Sequence, residues 1–273
     1  MPNPASTFRT LLAITAISFS FNLTAAEPVK PLKALFVTGG CCHEYDKQKM
    51  VLTEGISARA KVEWTIIHEG STRGDFRVSI YTNANWAAGY DVVVHDECFA
   101  DVKDAEFVQG ILKAHRDGVP AVNLHCAMHS YRVDFQKFKD WFAFTGLDTR
   151  GHGPQLPIEI VHVEQNHPVT KGLTNWTTIK EELYNNLQVW PTVTPLARGK
   201  QIVPQRDGST REVEAMITWI NNYEGTRVFN TTLGHNTATC EDPRYLELVT
   251  RGLLWACDKL DENGSPKPGY AAK

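Results

Sequence analysis

The side chains of this chain that invite chemistry gather in a few short stretches. Ala121-Val122-Asn123-Leu124-His125-Cys126-Ala127-Met128-His129 carries two histidines four residues apart, with a thiol beside the first. His43-Glu44, His95-Asp96-Glu97-Cys98 and Gly234-His235-Asn236 each follow an apolar run in the same manner. Imidazole moves protons near neutral pH, so His125 and His235 are candidates for general acid and base. Cys126 stands where a strand turns toward a helix, the place of a nucleophile elbow, and a helix N-terminus there would favour its thiolate. His235 would then serve as its base. The flanking His125 and Ala127 are not the glycines that a sharp elbow requires, and a partly buried thiol is the plainer reading. A third chemistry uses the histidines with Glu182, because two imidazoles and a carboxylate suit a divalent metal. The sequence has no H-E-x-x-H, so such a set would come from separate segments.

These residues need elements to carry them. Pro120 cannot donate to a ladder and suits the first position of a strand, and 121–124 is a short run of buried-strand type. Residues 33–38 predict a first strand that ends in a Gly39-Gly40 loop. A helix is expected over 47–60, a second strand over 62–68, and an irregular surface excursion over 69–90. A third strand follows at 91–95, then a helix at 103–116 with Phe107, Ile111 and Leu112 at helical spacing. This order predicts a doubly wound parallel α/β sheet, in which ligands bind beyond the carboxyl ends of the strands. Phe135, Phe138, Trp141, Phe142 and Phe144 read as a core-facing helix stripe. Residues 156–163, 214–223 and 227–233 alternate as strands, the last two around a Glu224-Gly225 turn, and 243–260 reads as a closing amphipathic helix. Neither an internal repeat nor a linker interrupts 27–260, which is expected to be one domain.

Bulk properties narrow the function. The 273 residues are 42% hydrophobic and 22% charged, with a net charge of -3 and no run of Lys and Arg, which excludes a nucleic-acid footprint. Residues 1–26 read as a signal peptide: Arg9 is its only charge, 11–23 is apolar, and Thr24-Ala25-Ala26 offers a cleavage site. The apolar stretch is shorter than a spanning helix needs. The mature protein is therefore expected to be periplasmic or extracellular, with no stable membrane insertion. The turn-rich tail, 261–273, is expected to be disordered. Six cysteines in an oxidising compartment permit disulfides, but their spacing defines no framework, and the adjacent Cys41 and Cys42 are not expected to pair.

An ordered set of motifs goes further. Asn123-Leu124-His125, Arg150-Gly151-His152, His167-Pro168-Val169-Thr170-Lys171-Gly172-Leu173, Glu181-Glu182-Leu183-Tyr184 and the run from Arg227 to His235 together resemble the ThuA-like (trehalose-utilisation) family of the class I glutamine amidotransferase-like superfamily, over about residues 33–259. The usual acidic pair before Leu-Tyr is Asp-Glu, and here it is Glu181-Glu182. The resemblance implies a flavodoxin-like, mainly parallel three-layer sheet with added antiparallel strands. It also implies a role in carbohydrate catabolism, on a sugar or a 3-keto-glycoside. Glutamine amidotransfer is not expected: Ala127 stands where the elbow needs Gly, and Gly234-His235-Asn236 lacks the Glu of a His-Pro-Glu. Within this reading His125, His235, Glu182, His43 and His152 are the catalytic candidates. Cys126, His129, Tyr184, Asn236 and Glu97 are candidates to line the substrate pocket. The expected partner is a small carbohydrate; a divalent metal and self-association are both compatible with the sequence. A non-catalytic carbohydrate-binding protein on the same scaffold and a Cys126-dependent hydrolase are the alternatives.

Overall fold

The computed structural model describes residues 29–70, 72–132 and 139–272, together with Met1. The expected signal peptide, and Phe135 and Phe138 of the aromatic stripe, lie outside the described residues. The chain runs β1 (Leu32–Gly40), α1 (Tyr45–Ser57), β2 (Val62–His68), β3 (Val92–Cys98), α2 (Ala105–Arg116) and β4 (Ala121–Leu124). A 3-10 turn at His125–His129 leads to α3 (Asp140–Thr145), β5 (Leu147–Asp148), β6 (Leu156–His162), β7 (Trp176–Glu181) and β8 (Gln188–Val189). Then come β9 (Val193–Pro204), β10 (Thr210–Tyr223), β11 (Thr226–Thr231), α4 (Thr237–Cys240) and α5 (Pro243–Ala256).

Nine strands form one sheet in the order β2-β1-β3-β4-β11-β10-β9-β6-β7. The first five pair in parallel, in the flavodoxin-like order. The remaining strands extend the sheet antiparallel. The fold is therefore α/β, a parallel core with antiparallel strands added, as the sequence implies.

The parallel strands are apolar on both faces because helices cover both. Phe36, Val94, Val122 and Phe229 point to one layer, with Leu52 and Ile56 of α1 and Leu246 and Leu253 of α5. Leu35, Val37, Val93, Ala121 and Val228 point to the other, with Ile111 and Leu112 of α2 and Trp141 and Phe144 of α3. Local chemistry starts the long helices. The Asp104 carboxylate accepts from Phe107 N at 3.1 Å at the head of α2, and Asp242 caps α5 ahead of Pro243.

Three expectations change. Residues 69–90 are more than a surface excursion: the described ones are largely exposed, but Val78, Tyr81, Trp86 and Ala87 anchor the segment in the α2 layer. Their spacing matches neither helix nor strand, yet their apolar area still drives burial. The tail is not disordered: Lys61 N donates to the Tyr270 carbonyl at 2.8 Å, Ala60 bridges to Ala271, and the Tyr270 ring packs on the core. Turn-rich composition described its local shape and not its docking. Cys41 and Cys42 do pair, in a vicinal disulfide with a Cα–Cα distance of 3.7 Å. The pair follows Gly39 and Gly40 at the mouth of β1, and Cys42 takes a positive φ of 84°, which closes so short a ring.

That same loop is pressed against β3. A Cβ on Gly40 would stand 2.4 Å from the Cys98 carbonyl oxygen, and its φ is +113°. Gly40→Ala is expected to lower stability by roughly 1–3 kcal/mol through strain and clash. A urea midpoint equal to the wild-type value would show that the loop does not depend on this close approach.

Candidate active site

The carboxyl ends of β1, β4 and β11 deliver His43, His125 and His235 to one place, and the residue after β7 brings Glu182 to meet them. His125 takes a positive φ of 42° as the backbone leaves β4, an uncommon state for a side chain of this size and one that gathers at functional positions. The residue is buried, and its ring is fixed. Nδ1 donates to the Thr232 carbonyl at 2.6 Å, which leaves Nε2 as a lone pair when the ring is neutral. That atom lies 3.2 Å from the Tyr184 hydroxyl and 3.5 Å from Glu182 Oε2.

The same carboxylate collects two more imidazoles. His235 Nδ1 stands 3.2 Å from Glu182 Oε1, and His152 Nε2 stands 3.4 Å from it. His152 Nδ1 donates to the Gly153 carbonyl at 2.8 Å, so its Nε2 is also a lone pair when neutral. The Gln155 amide bridges the group, donating to Glu182 Oε1 at 3.1 Å and to His235 Nε2 at 2.8 Å. Glu181 braces it from behind, its carboxylate accepting from the backbone N–H groups of His235 and Asn236 at 3.1 Å each.

Charge follows from these contacts. Burial opposes ionisation of Glu182, but the close imidazoles of His125 and His235 outweigh it and hold the carboxyl below the usual range. Glu182 in turn raises His235 above the ordinary imidazole value. His43 is pushed down to about 3 by burial and then by His125 and His235. Its Nδ1 donates to the His235 carbonyl at 3.3 Å, and its Nε2 faces Cys126 Sγ at 2.9 Å. A hydrogen bond with Cys98, then burial, raises the Cys126 thiol well above normal. Cys126 and His43 therefore meet as neutral thiol and neutral imidazole. The elbow helix is only a five-residue 3-10 turn, too short to stabilise a thiolate.

The expected residues thus sort themselves. His43, His125, His152, His235, Glu182, Cys126 and Tyr184 come together. His129 stands behind, its ring stacked on Tyr184 at 4.0 Å and held down to about 2 by burial and Arg132. Asn236 lies beside the cluster, its amide turned to the Lys180 carbonyl. Glu97 does not belong to the site. Strand alternation sends it with His95 and Val93 into the α2 layer, where Oε1 meets the Tyr81 hydroxyl at 2.8 Å, the Tyr131 hydroxyl at 3.1 Å and His95 Nδ1 at 2.9 Å. Cys98, one residue on, faces the site instead. Gln155 was not foreseen, since a lone amide in a loop gives no signal. Ligand atoms of His125, Glu182 and His235 lie within 4.8 Å of one another, as do those of His43, His125 and Cys126. A cavity of about 370 Å³ shares His152 and Tyr184 with the cluster and adds Asn185, Gln201 and Arg211.

Comparison with known proteins places this geometry in a family. The ThuA family model, described as trehalose utilisation, matches residues 33–256. A ThuA-like protein from Parabacteroides merdae superposes with a TM-score of 0.62 at 21% identity, covering 89% of this chain and 97% of its own. One from Bacteroides uniformis gives 0.61 at 14% identity, over 90% of this chain and 99% of its own. At these identities the likeness is one of fold. No curated protein matches the sequence.

Two measurements follow. The cysteine pattern leaves Cys98, Cys126, Cys240 and Cys257 free, so a thiol assay in denaturant is expected to rise by two when a reductant is added first. An unchanged count would remove the vicinal disulfide. The second concerns pH. The depressed Glu182 contributes stability above 4.5, lost as pH falls through its folded value. The raised His235 contributes below 6.5, lost as pH rises through its folded value. The stability gap between wild type and Glu182→Gln is therefore expected to peak between these values, at about 1–3 kcal/mol, and to narrow on both sides. A flat gap from pH 4 to 9 in denaturant titrations would mean that the two groups do not interact.

Proposed function

The chain belongs to the ThuA family of trehalose utilisation, and from that premise we propose that it is an exported enzyme of carbohydrate catabolism acting on a sugar or keto-glycoside by His/Glu acid-base chemistry. The observation that carries the reading is a single buried carboxylate, Glu182, facing three imidazoles, beside a polar cavity. Export rests on the leader at 1–26.

A 3-keto-glycoside suits such a set. Its C2 proton is acidified by the neighbouring carbonyl, and the aglycone oxygen on C1 stands beta to that carbonyl. His125 Nε2 takes the C2 proton, and the carbonyl oxygen receives the electron pair. The pair returns to expel the aglycone from C1, and His235, biased toward its protonated form by Glu182, donates a proton to the leaving oxygen. Tyr184 and the cavity side chains offer hydroxyl and amide partners to the sugar. A second reading rests on the 2.9 Å Cys126–His43 contact, the spacing of a nucleophile and its base. The raised thiol and the lowered imidazole weigh against it.

His125→Ala and Glu182→Gln are expected to cut turnover of a 3-keto-glycoside by roughly 10²–10⁴-fold with circular dichroism unchanged. Cys126→Ser is expected to stay within a few-fold of wild type. The rate should decline as pH rises and His235 loses its proton. Undiminished turnover in His125→Ala would remove that residue from the chemistry, and an inactive, folded Cys126→Ser would favour the thiol reading. Saturable sugar binding with no product would make the protein a binding module.

A further inference from the structure

We propose that His125 Nε2, His235 Nδ1 and the Glu182 carboxylate form a mononuclear site for a zinc-class divalent cation. This deepens the reading above, on which it rests for the catalytic use of the ion but not for its binding. Three observations support it. The three ligand atoms come from three separate segments yet lie within 4.8 Å of one another. His125 is oriented as metal-bound histidines are, with Nδ1 on the Thr232 carbonyl at 2.6 Å and Nε2 turned inward to the shared centre. His235 Nδ1 is buried and finds no hydrogen-bond partner of good direction, although Glu182 Oε1 is 3.2 Å away. A ligand atom aimed into a shared centre and left without a directed partner is what such a site presents before an ion arrives.

The donor set also has the right chemistry. Two neutral imidazoles and one carboxylate form a catalytic zinc set with a fourth position free for water or substrate. Gln155 holds the far nitrogen of His235 at 2.8 Å. With the ion on Nδ1, that far nitrogen carries the proton and the amide turns its oxygen to it, giving up its hydrogen bond to Glu182 Oε1, whose charge the ion then meets. The competing set of His43, His125 and Cys126 is already closed on itself. His43 Nε2 is taken by the thiol at 2.9 Å.

A bound ion redistributes the roles. The open position would accept the oxygen of a keto group, withdrawing charge from the carbonyl as the C2 proton leaves. His125 and His235 are then occupied as ligands. The C2 proton passes to His152 Nε2, 3.4 Å from Glu182 and on the cavity wall, and from there to the aglycone oxygen as the C1–O bond breaks. No electron is gained or lost, so neither an oxidant nor a reductant is needed.

The test uses the purified full chain after chelator treatment. Titration with Zn²⁺ by calorimetry, and elemental analysis after desalting, are expected to give one ion per chain. Co²⁺ in its place should show visible ligand-field bands without a thiolate charge-transfer band. Glu182→Gln and His235→Ala should each weaken Zn²⁺ binding by at least about 100-fold, while Cys126→Ser leaves it unchanged. No saturable binding of either ion, equal affinity in Glu182→Gln and His235→Ala, or a charge-transfer band lost in Cys126→Ser would each overturn the assignment. Full turnover in the chelated protein would leave the acid-base reading standing and refute the metal's part in it. Stoichiometric zinc without turnover of a keto-glycoside would do the reverse.

Discussion

One buried negative charge organises the functional end of this molecule. Glu182 is 6% exposed, and a carboxylate so placed persists only where partners replace the water it has lost. His125, His235, His152 and the Gln155 amide supply them. Each partner is in turn anchored by a backbone group or a neighbouring side chain. The Thr232 carbonyl holds His125, the Gly153 carbonyl holds His152, and Glu181 grips the backbone at His235. The site is thus set by interlocked hydrogen bonds between loops, which only the finished sheet brings together.

The sheet explains how four distant segments reach one carboxylate. Parallel strands end at the same edge, so β1, β4 and β11 must release their loops side by side. The antiparallel extension brings the end of β7 back toward that edge and carries Glu181 and Glu182 with it. The helical layers are the counterweight. The apolar faces of α1, α2, α3 and α5 fix the strands, and the polar edge inherits its geometry from them. The ordered tail belongs to the same scheme, since it closes over the end of α1 near Ala60.

A second histidine cluster shows what position decides. His95 and His115 meet at 3.0 Å, with Glu97, Tyr81 and Tyr131 around them, all buried in the α2 layer. In composition this group resembles the site at Glu182. It is sealed behind Trp86, Trp141 and Phe144, and it serves the packing of the interior. Residue types therefore do not separate a reactive cluster from a structural one. Access and strand face do.

Much was legible before any coordinates. Apolar runs, turn residues and the order of elements implied the parallel α/β core, because burial on both faces writes itself into 33–38, 91–95 and 121–124. The strand-end histidines could be named because ligand sites in this topology follow strand ends, and Glu182 because a carboxylate completes an imidazole donor set and falls in a motif shared with the family. The docking of the tail, the anchoring of Val78, Tyr81, Trp86 and Ala87, the Cys41–Cys42 bond and the exile of Glu97 could not be read. Each depends on which side of a strand a residue faces, or on what lies across a loop, and neither is a property of neighbours in the chain. By itself the sequence determined which groups were available for chemistry, since residue type and strand ends are local facts. Only the tertiary structure decided that Glu182 would meet three histidines and that it would be held low while His235 is raised, because a pKa depends on burial and on charges a few ångströms away in space.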